Sequence, residues 1–183
     1  NFINKNSETG IFIFGFTSII WQNLLNQLRK LNTFLDFGPN SILLHGGGWK
    51  KLEDLKVSNL LFKENVQTYT GIEKIKNYYG MIEQTGSIYL ECEEGFFHTT
   101  KFSDVIVRDP VKNFEPTSED GVIQVISTLP HSYPGHSILT EDVGKILGEN
   151  SCKCGHGGKY FVVYGRMAGA EMRGCSDTRV MGG

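Results

Sequence analysis

Two short apolar runs separated by an amphipathic stretch constrain this chain most. Ile11-Phe12-Ile13-Phe14-Gly15-Phe16 reads as a buried strand, being a continuous run of β-branched and aromatic residues. Ser18 offers an N-cap to a helix from about Ile19 to Leu35, where Trp21, Leu24, Leu25, Leu28 and Leu31 form an apolar stripe. Phe37-Gly38-Pro39-Asn40 breaks the pattern, and Ser41-Ile42-Leu43-Leu44-His45 reads as a second buried strand. Strand, helix and strand at this spacing predict a βαβ crossover and a partly parallel sheet.

Gly46-Gly47-Gly48 follows the second strand directly. Without a Cβ, such residues let backbone N–H groups and flat rings approach closely, although glycine clusters also punctuate any fold. A short helix is expected over Leu52 to Leu61 and another over Val66 to Asn77, with Ile72, Ile75 and Tyr79 at helical spacing. The loop Tyr79-Gly80-Met81-Ile82-Glu83-Gln84-Thr85-Gly86-Ser87 then leads into a strand-like run, Ser87 to Glu91. It places the Glu83 carboxylate at the kind of edge where ligands bind, though most loop carboxylates are only solvated. Beyond Leu90, Phe102–Arg108, Val122–Ser127 and Tyr160–Tyr164 are short β-type runs separated by turn signals. The expected class is α/β (mixed α+β). Residues 1–91 would form a βαβ sheet layer, and 92–183 a small, mostly antiparallel β unit.

The totals exclude several functions. With 183 residues, 39% hydrophobic and 21% charged, the chain has the makings of a real core and is not disordered. A net charge of −2 gives no basic field for nucleic acid, and the apolar runs are too short to span a bilayer. No secretory signal pattern is read at the start, and an opening Asn1 close to a strand suggests part of a longer protein. The four cysteines fit a reducing, cytoplasmic setting with metal or thiol chemistry. Cys92 and His98 flank a turn, and Cys152 and Cys154 share a Gly-rich loop. Three sulfurs and one imidazole suit a closed, structural Zn²⁺ site, with His156 as a rival ligand and reduced, metal-free thiols as the alternative.

Several motifs then occur in one order. YGMIEQ resembles the YGxTE loop of adenylate-forming enzymes, the superfamily of acyl-CoA synthetases, peptide-synthetase adenylation domains and luciferases. Leu44-His45-Gly46-Gly47-Gly48 looks like its adenine-packing glycine loop. Leu139-Thr140-Glu141-Asp142-Val143-Gly144 looks like its TGD motif, and Tyr164-Gly165-Arg166 like its GR motif. FGFTS, HGGGWKKLE, YGMIEQTGS, CKCGHGGKYF and GRMAGAEMRGCSDT are most similar to the LuxE-type acyl-protein synthetases, a branch related to phenylacetate–CoA ligases. The resemblance runs from about Ile11 to Thr178 and implies the C-terminal part of such a protein. Three departures stand out. The superfamily's upstream Ser/Thr/Gly-rich phosphate loop and the small C-terminal domain of CoA ligases are absent from this sequence, and Ile82 replaces the usual Thr.

The resemblance implies ATP-dependent activation of a carboxylic acid, expected to be fatty, as acyl-AMP. Glu83 would hold Mg²⁺ on the phosphates, and Asp142 would accept from the ribose hydroxyls. Arg166 would pair with ribose or phosphate oxygens. His45, Gly46, Gly47 and Gly48 would face the adenine from one side, with Tyr79 and Gly80 on the other. Read without the resemblance, Asp142 is an ordinary cap or turn residue and Arg166 half of a surface ion pair. LuxE-type proteins carry the acyl group on a cysteine near their C-terminus, then pass it to a partner reductase. The matching position is Cys175, beside Arg173, which could lower its pKa; a small buried hydrophobe is its other reading. An acyl-CoA ligase, or a fragment binding nucleotide or a partner without turnover, remains the alternative.

Overall fold

The first apolar run pairs as expected. In the computed structural model, which describes residues 2–49, 56–167 and 169, β1 (Phe12–Phe16) lies parallel to β2 (Ile42–Gly46). β2 in turn lies parallel to β3 (Lys74–Tyr79), and β4 (Tyr89–Leu90) closes the sheet antiparallel to β3. The order is β1-β2-β3-β4. A short helix, α1 (Phe2–Asn6), precedes β1.

β1 is an edge strand and is not buried on both faces. Phe12 (65% exposed) and Phe14 (58%) stand on the same face as Ile42, Leu44 and Leu90, leaving the β1–β2 part of that side apolar and open, with Lys74 and Lys76 of β3 on the same face. The opposite face carries the first core, where Leu25, Leu43, Phe62, Val66 and Ile72 are fully enclosed beside Trp21 and Trp49.

The first crossover starts without a polar cap. Helical segments α2 (Thr17–Ile19), a π-helical stretch (Ile20–Leu25) and α3 (Asn26–Lys30) run end to end from β1, with Thr17 and Ser18 buried inside the helix. Ser18 therefore caps nothing. The helix stops at Lys30, not Leu35, because Asn32 takes a left-handed conformation (φ 47°) and Leu31 is left exposed.

The expected helix over Val66 to Asn77 is really two elements. α4 (Asn59–Thr70) is capped by the Ser58 hydroxyl, which accepts from the Leu61 N–H at 3.1 Å, and stopped by Gly71 at φ 69°. After that stop, Lys74–Tyr79 pairs with β2 as strand β3. The Glu83 loop thus joins two strands. Of the helix expected over Leu52 to Leu61, residues 52–55 lie outside the described residues, and Asn59–Leu61 is the first turn of α4.

The second sheet is wholly antiparallel, in the order β5-β10-β9-β8-β6-β7. Its strands are β5 (Phe97–His98), β6 (Ser103–Asp109), β7 (Glu115–Pro116), β8 (Gly121–Ser127), β9 (Ser137–Glu149) and β10 (Lys159–Arg166). β9, with 13 residues the longest, was not foreseen: its Thr, Glu, Asp, Gly and Lys hide the apolar alternation. Val105, Ile123, Val125 and Phe161 form its core, and Tyr89 of the first sheet packs edge-on to Phe161 at 5.3 Å between ring centres. Among the described residues, no helix is long and apolar enough to cross a membrane.

Candidate functional site

β2 delivers the glycines to the sheet's C-terminal edge. Gly46 pairs with Tyr78, and a Cβ on Gly46 would meet the Tyr78 ring at 2.5 Å, so the aromatic face against the bare backbone is Tyr78. Gly47 is left-handed (φ 77°), and both Gly47 and Gly48 are exposed. The His45 side chain is not part of that surface. It is 1% exposed, packs against Phe62 with ring centres 4.4 Å apart and planes tilted by 38°, and meets the Thr17 hydroxyl through Nδ1 at 2.9 Å. Burial, helped by nearby Lys63, depresses its pKa to about 4, so the ring is neutral at neutral pH.

Strand alternation sends Tyr79 the other way, against Phe97, Phe161 and Tyr89. Its hydroxyl donates to Asp142 Oδ2 at 2.7 Å, and burial, followed by that carboxylate, holds the phenol far above its ordinary pKa. Asp142 pairs with Arg166 across β9 and β10, and Arg166 Nε stands 4.0 Å from Oδ1. Arg166 Nη1 also reaches Glu141 Oε2 at 3.5 Å. Tyr79, Asp142 and Arg166 thus form one cluster, with Asp142 backed from both sides.

Glu83 is the middle residue of a single 3₁₀ turn (Ile82–Gln84) between β3 and β4. Its side chain is exposed, and among the described residues its carboxylate makes no hydrogen bond or ion pair. An uncommitted, solvated carboxylate fits Mg²⁺, a hard cation that keeps several waters. Gly80, just before this turn, packs under the Ser87 carbonyl.

Cys92, Cys152 and Cys154 converge with His98. β5 pairs His98 with Tyr160 of β10, bringing the Cys92 turn beside the β9–β10 connection. The ligand atoms of Cys92, His98, Cys152 and Cys154 all lie within 4.8 Å of one another. Cys92 Sγ is 4.0 Å from Cys152 Sγ, and Cys154 Sγ is 3.4 Å from His98 Nε2. A tetrahedron with Zn–S of about 2.3 Å has S···S edges of roughly 3.8 Å, so the donor set and spacing fit Zn²⁺. Cys92, Cys152 and His98 are buried; His156 Nδ1 also lies 3.4 Å from Cys154 Sγ, but on an exposed residue.

With this arrangement in view, comparison with known proteins gives a family. The model of the acyl-protein synthetase family LuxE matches residues 2–181. The chain belongs to the LuxE family. No curated protein matches it. Among solved structures, a 2-hydroxyisobutyryl-CoA ligase bound to 2-HIB-AMP and CoA superposes at TM-score 0.61 with 18% identity, over 85% of this chain and 36% of that one. A long-chain-fatty-acid-CoA ligase from Archaeoglobus fulgidus gives 0.57 and 13%, over 90% and 36%. ATP-bound MatB from Rhodopseudomonas palustris gives 0.56 and 15%, over 88% and 32%. These likenesses establish the fold of adenylate-forming enzymes, and the LuxE chain spans about a third of the length of these structures.

Of the residues singled out in the sequence, Tyr79, Asp142 and Arg166 come together, as do the four zinc-type ligands. His45 is a core residue, and Cys175 lies outside the described residues. Two residues went unnoticed. Tyr78 is placed over Gly46 by strand register. Gln84, 1% exposed, anchors the Glu83 turn to the second sheet.

Proposed function

We propose that the protein containing this chain is an ATP-dependent ligase that activates a carboxylic acid, of fatty type, as acyl-AMP and loads it on a thiol. The observation that carries this is the family match across residues 2–181. In the first step an oxygen of the acid attacks the α-phosphorus, the bond to the β-phosphate breaks, and pyrophosphate leaves with the electron pair. Gly47 and Gly48 present bare backbone to the adenine, with Tyr78 beside Gly46. Asp142 accepts from the ribose hydroxyls; the Tyr79 hydroxyl already fixes Oδ2 and so orients the carboxylate before nucleotide arrives. Arg166 adds a cation at that edge. Glu83 would hold Mg²⁺, whose charge offsets the meeting of two anions.

In the second step the Cys175 thiolate attacks the acyl carbon, the C–O bond to phosphate breaks, and AMP leaves; the product is a thioester. A reductase or carrier protein would then take the acyl group. Zn²⁺ on Cys92, His98, Cys152 and Cys154 would be structural, since four protein ligands leave no open position. The test is mass spectrometry of the full-length protein after incubation with Mg-ATP and a panel of acids. A hydroxylamine-labile acyl group on Cys175, lost in Cys175→Ser while pyrophosphate release persists, is the expected result. Pyrophosphate release without protein acylation would favour CoA as acceptor, in keeping with the similarity in fold to two solved CoA ligases. No turnover with any acid would leave a nucleotide- or partner-binding module.

A further inference from the structure

The turn bearing Glu83 is fixed from outside its own strands. A single 3₁₀ turn has little internal bonding, here the Gln84 N–H donating to the Met81 carbonyl at 3.2 Å. Thr85 Oγ1 donates to the Ile82 carbonyl at 2.9 Å and the Ser87 N–H to the Gln84 carbonyl at 3.2 Å, and further support comes from β8 and the β8–β9 connection. Tyr133 Oη donates to the Glu83 carbonyl at 2.5 Å, accepts from the Thr85 N–H at 3.2 Å and lies 3.4 Å from the Ile82 carbonyl. The buried Gln84 Nε2 donates to the Gly135 carbonyl at 2.9 Å and lies 3.4 Å from the Val125 carbonyl. Gly135 runs directly beneath: a Cβ there would sit 2.9 Å from the Glu83 carbonyl oxygen and 2.6 Å from the Tyr133 ring.

One hydroxyl therefore touches three successive peptide units around Glu83. Tyr133 is 39% exposed, so its contribution to a core is small, and its side-chain hydrogen bonds all go to this turn. The Glu83 carboxylate has no partner of its own among the described residues to set its direction, so the backbone sets it. We infer that Tyr133 is a positioning residue for the Glu83 carboxylate, with Gln84 and Gly135 completing the clamp. The inference rests on the proposed role of Glu83 as the Mg²⁺-holding group. Tyr133 itself touches no reacting atom; it keeps the carboxylate aimed where the metal-bound phosphates would be.

The test is a double-mutant cycle on the full-length protein, read as the Mg²⁺ midpoint for binding a fluorescent non-hydrolysable ATP analogue. Tyr133→Phe is expected to raise that midpoint about tenfold, the usual size for loss of a ligand's supporting hydrogen bond. Glu83→Gln is expected to raise it at least as much, and the double variant no further, because Tyr133 acts through Glu83. A midpoint in Tyr133→Phe within about twofold of wild type, or effects that multiply in the double variant, would overturn the inference. So would wild-type nucleotide binding indifferent to Mg²⁺. Should Tyr133→Phe fail to fold by circular dichroism, Gly135→Ala replaces it with the same expectations. Acid-dependent pyrophosphate release is measured in parallel. Its absence in a wild-type protein that binds Mg-nucleotide removes the ligase proposal, while the cycle still decides the clamp.

Discussion

His45 should make the first core sensitive to acid, and the size of the effect follows from its surroundings. The ring is enclosed against Phe62 with its pKa lowered from 6.5 to about 4, first by burial and second by Lys63. His45 Nδ1 meets Thr17 Oγ1 at 2.9 Å, that hydroxyl also reaches the Gly46 carbonyl at 3.2 Å, and Nε2 is buried without a partner. The imidazolium carries an N–H on both nitrogens, and the one on Nε2 has no acceptor. The sign is fixed by linkage. The unfolded chain binds more protons than the folded one between the two pKa values, so the contribution is whole above pH 6.5 and is lost as pH falls toward 4. Going from pH 7.5 to 4.5 costs about 2.5 kcal/mol of stability from this group alone. The assay is urea unfolding at both pH values, followed by fluorescence of Trp21 and Trp49, which lie in the same core. His45→Leu removes the titration, and Thr17 keeps its Gly46 acceptor. Wild type should lose about 2.5 kcal/mol more than the variant between the two conditions. High salt should leave most of this difference, since screening weakens only the Lys63 part. Equal losses in wild type and variant would refute the reasoning.

Further predictions concern the metal cluster and two carboxylates. Zinc analysis of the purified protein should find one zinc per chain, lost in Cys152→Ser, and chelation should lower the melting midpoint by more than about 5 °C. Tyr79→Phe removes a charge-assisted bond worth about 2 kcal/mol, so ATP affinity by calorimetry should fall on the order of tenfold while circular dichroism is unchanged. Glu91, buried just before Cys92, binds Lys63 Nζ at 2.8 Å, Asn59 Nδ2 at 2.5 Å and the Asn77 N–H at 3.0 Å. Glu91→Gln leaves Lys63 without its counter-charge and should cost about 2 kcal/mol in urea unfolding, less than a fully buried pair because Lys63 is partly exposed.

The sequence made some of this legible and concealed the rest for physical reasons. The βαβ crossover was readable because Ile11–Phe16 and Ser41–His45 are continuous apolar runs around a helical stripe. The zinc-type ligands were readable because cysteine is rare and thiols have few roles. The segment Val66–Asn77 misled because Ile72 and Ile75 satisfy helical spacing while pairing with β2 prevails beyond Gly71. Tyr78 and Tyr79 could not be told apart, because which neighbour faces the glycines depends on a register that composition does not encode. Tyr133 was invisible for a related reason: between a serine and a proline it signals only a turn, and its partners lie 48 to 51 residues earlier in the chain.

β9 also works as a measuring rod. Just before its first residue comes the loop that grips Glu83, within it sits Asp142, and beyond its last residue come Cys152 and Cys154. Thirteen residues at about 3.3 Å each span roughly 40 Å before bending, so one element spaces three sites that would otherwise be spaced by flexible loops. One residue inserted between Asp142 and Glu149 would either displace the cysteine turn by a full step or be absorbed as a further bulge, since β9 already shifts register against both β8 and β10.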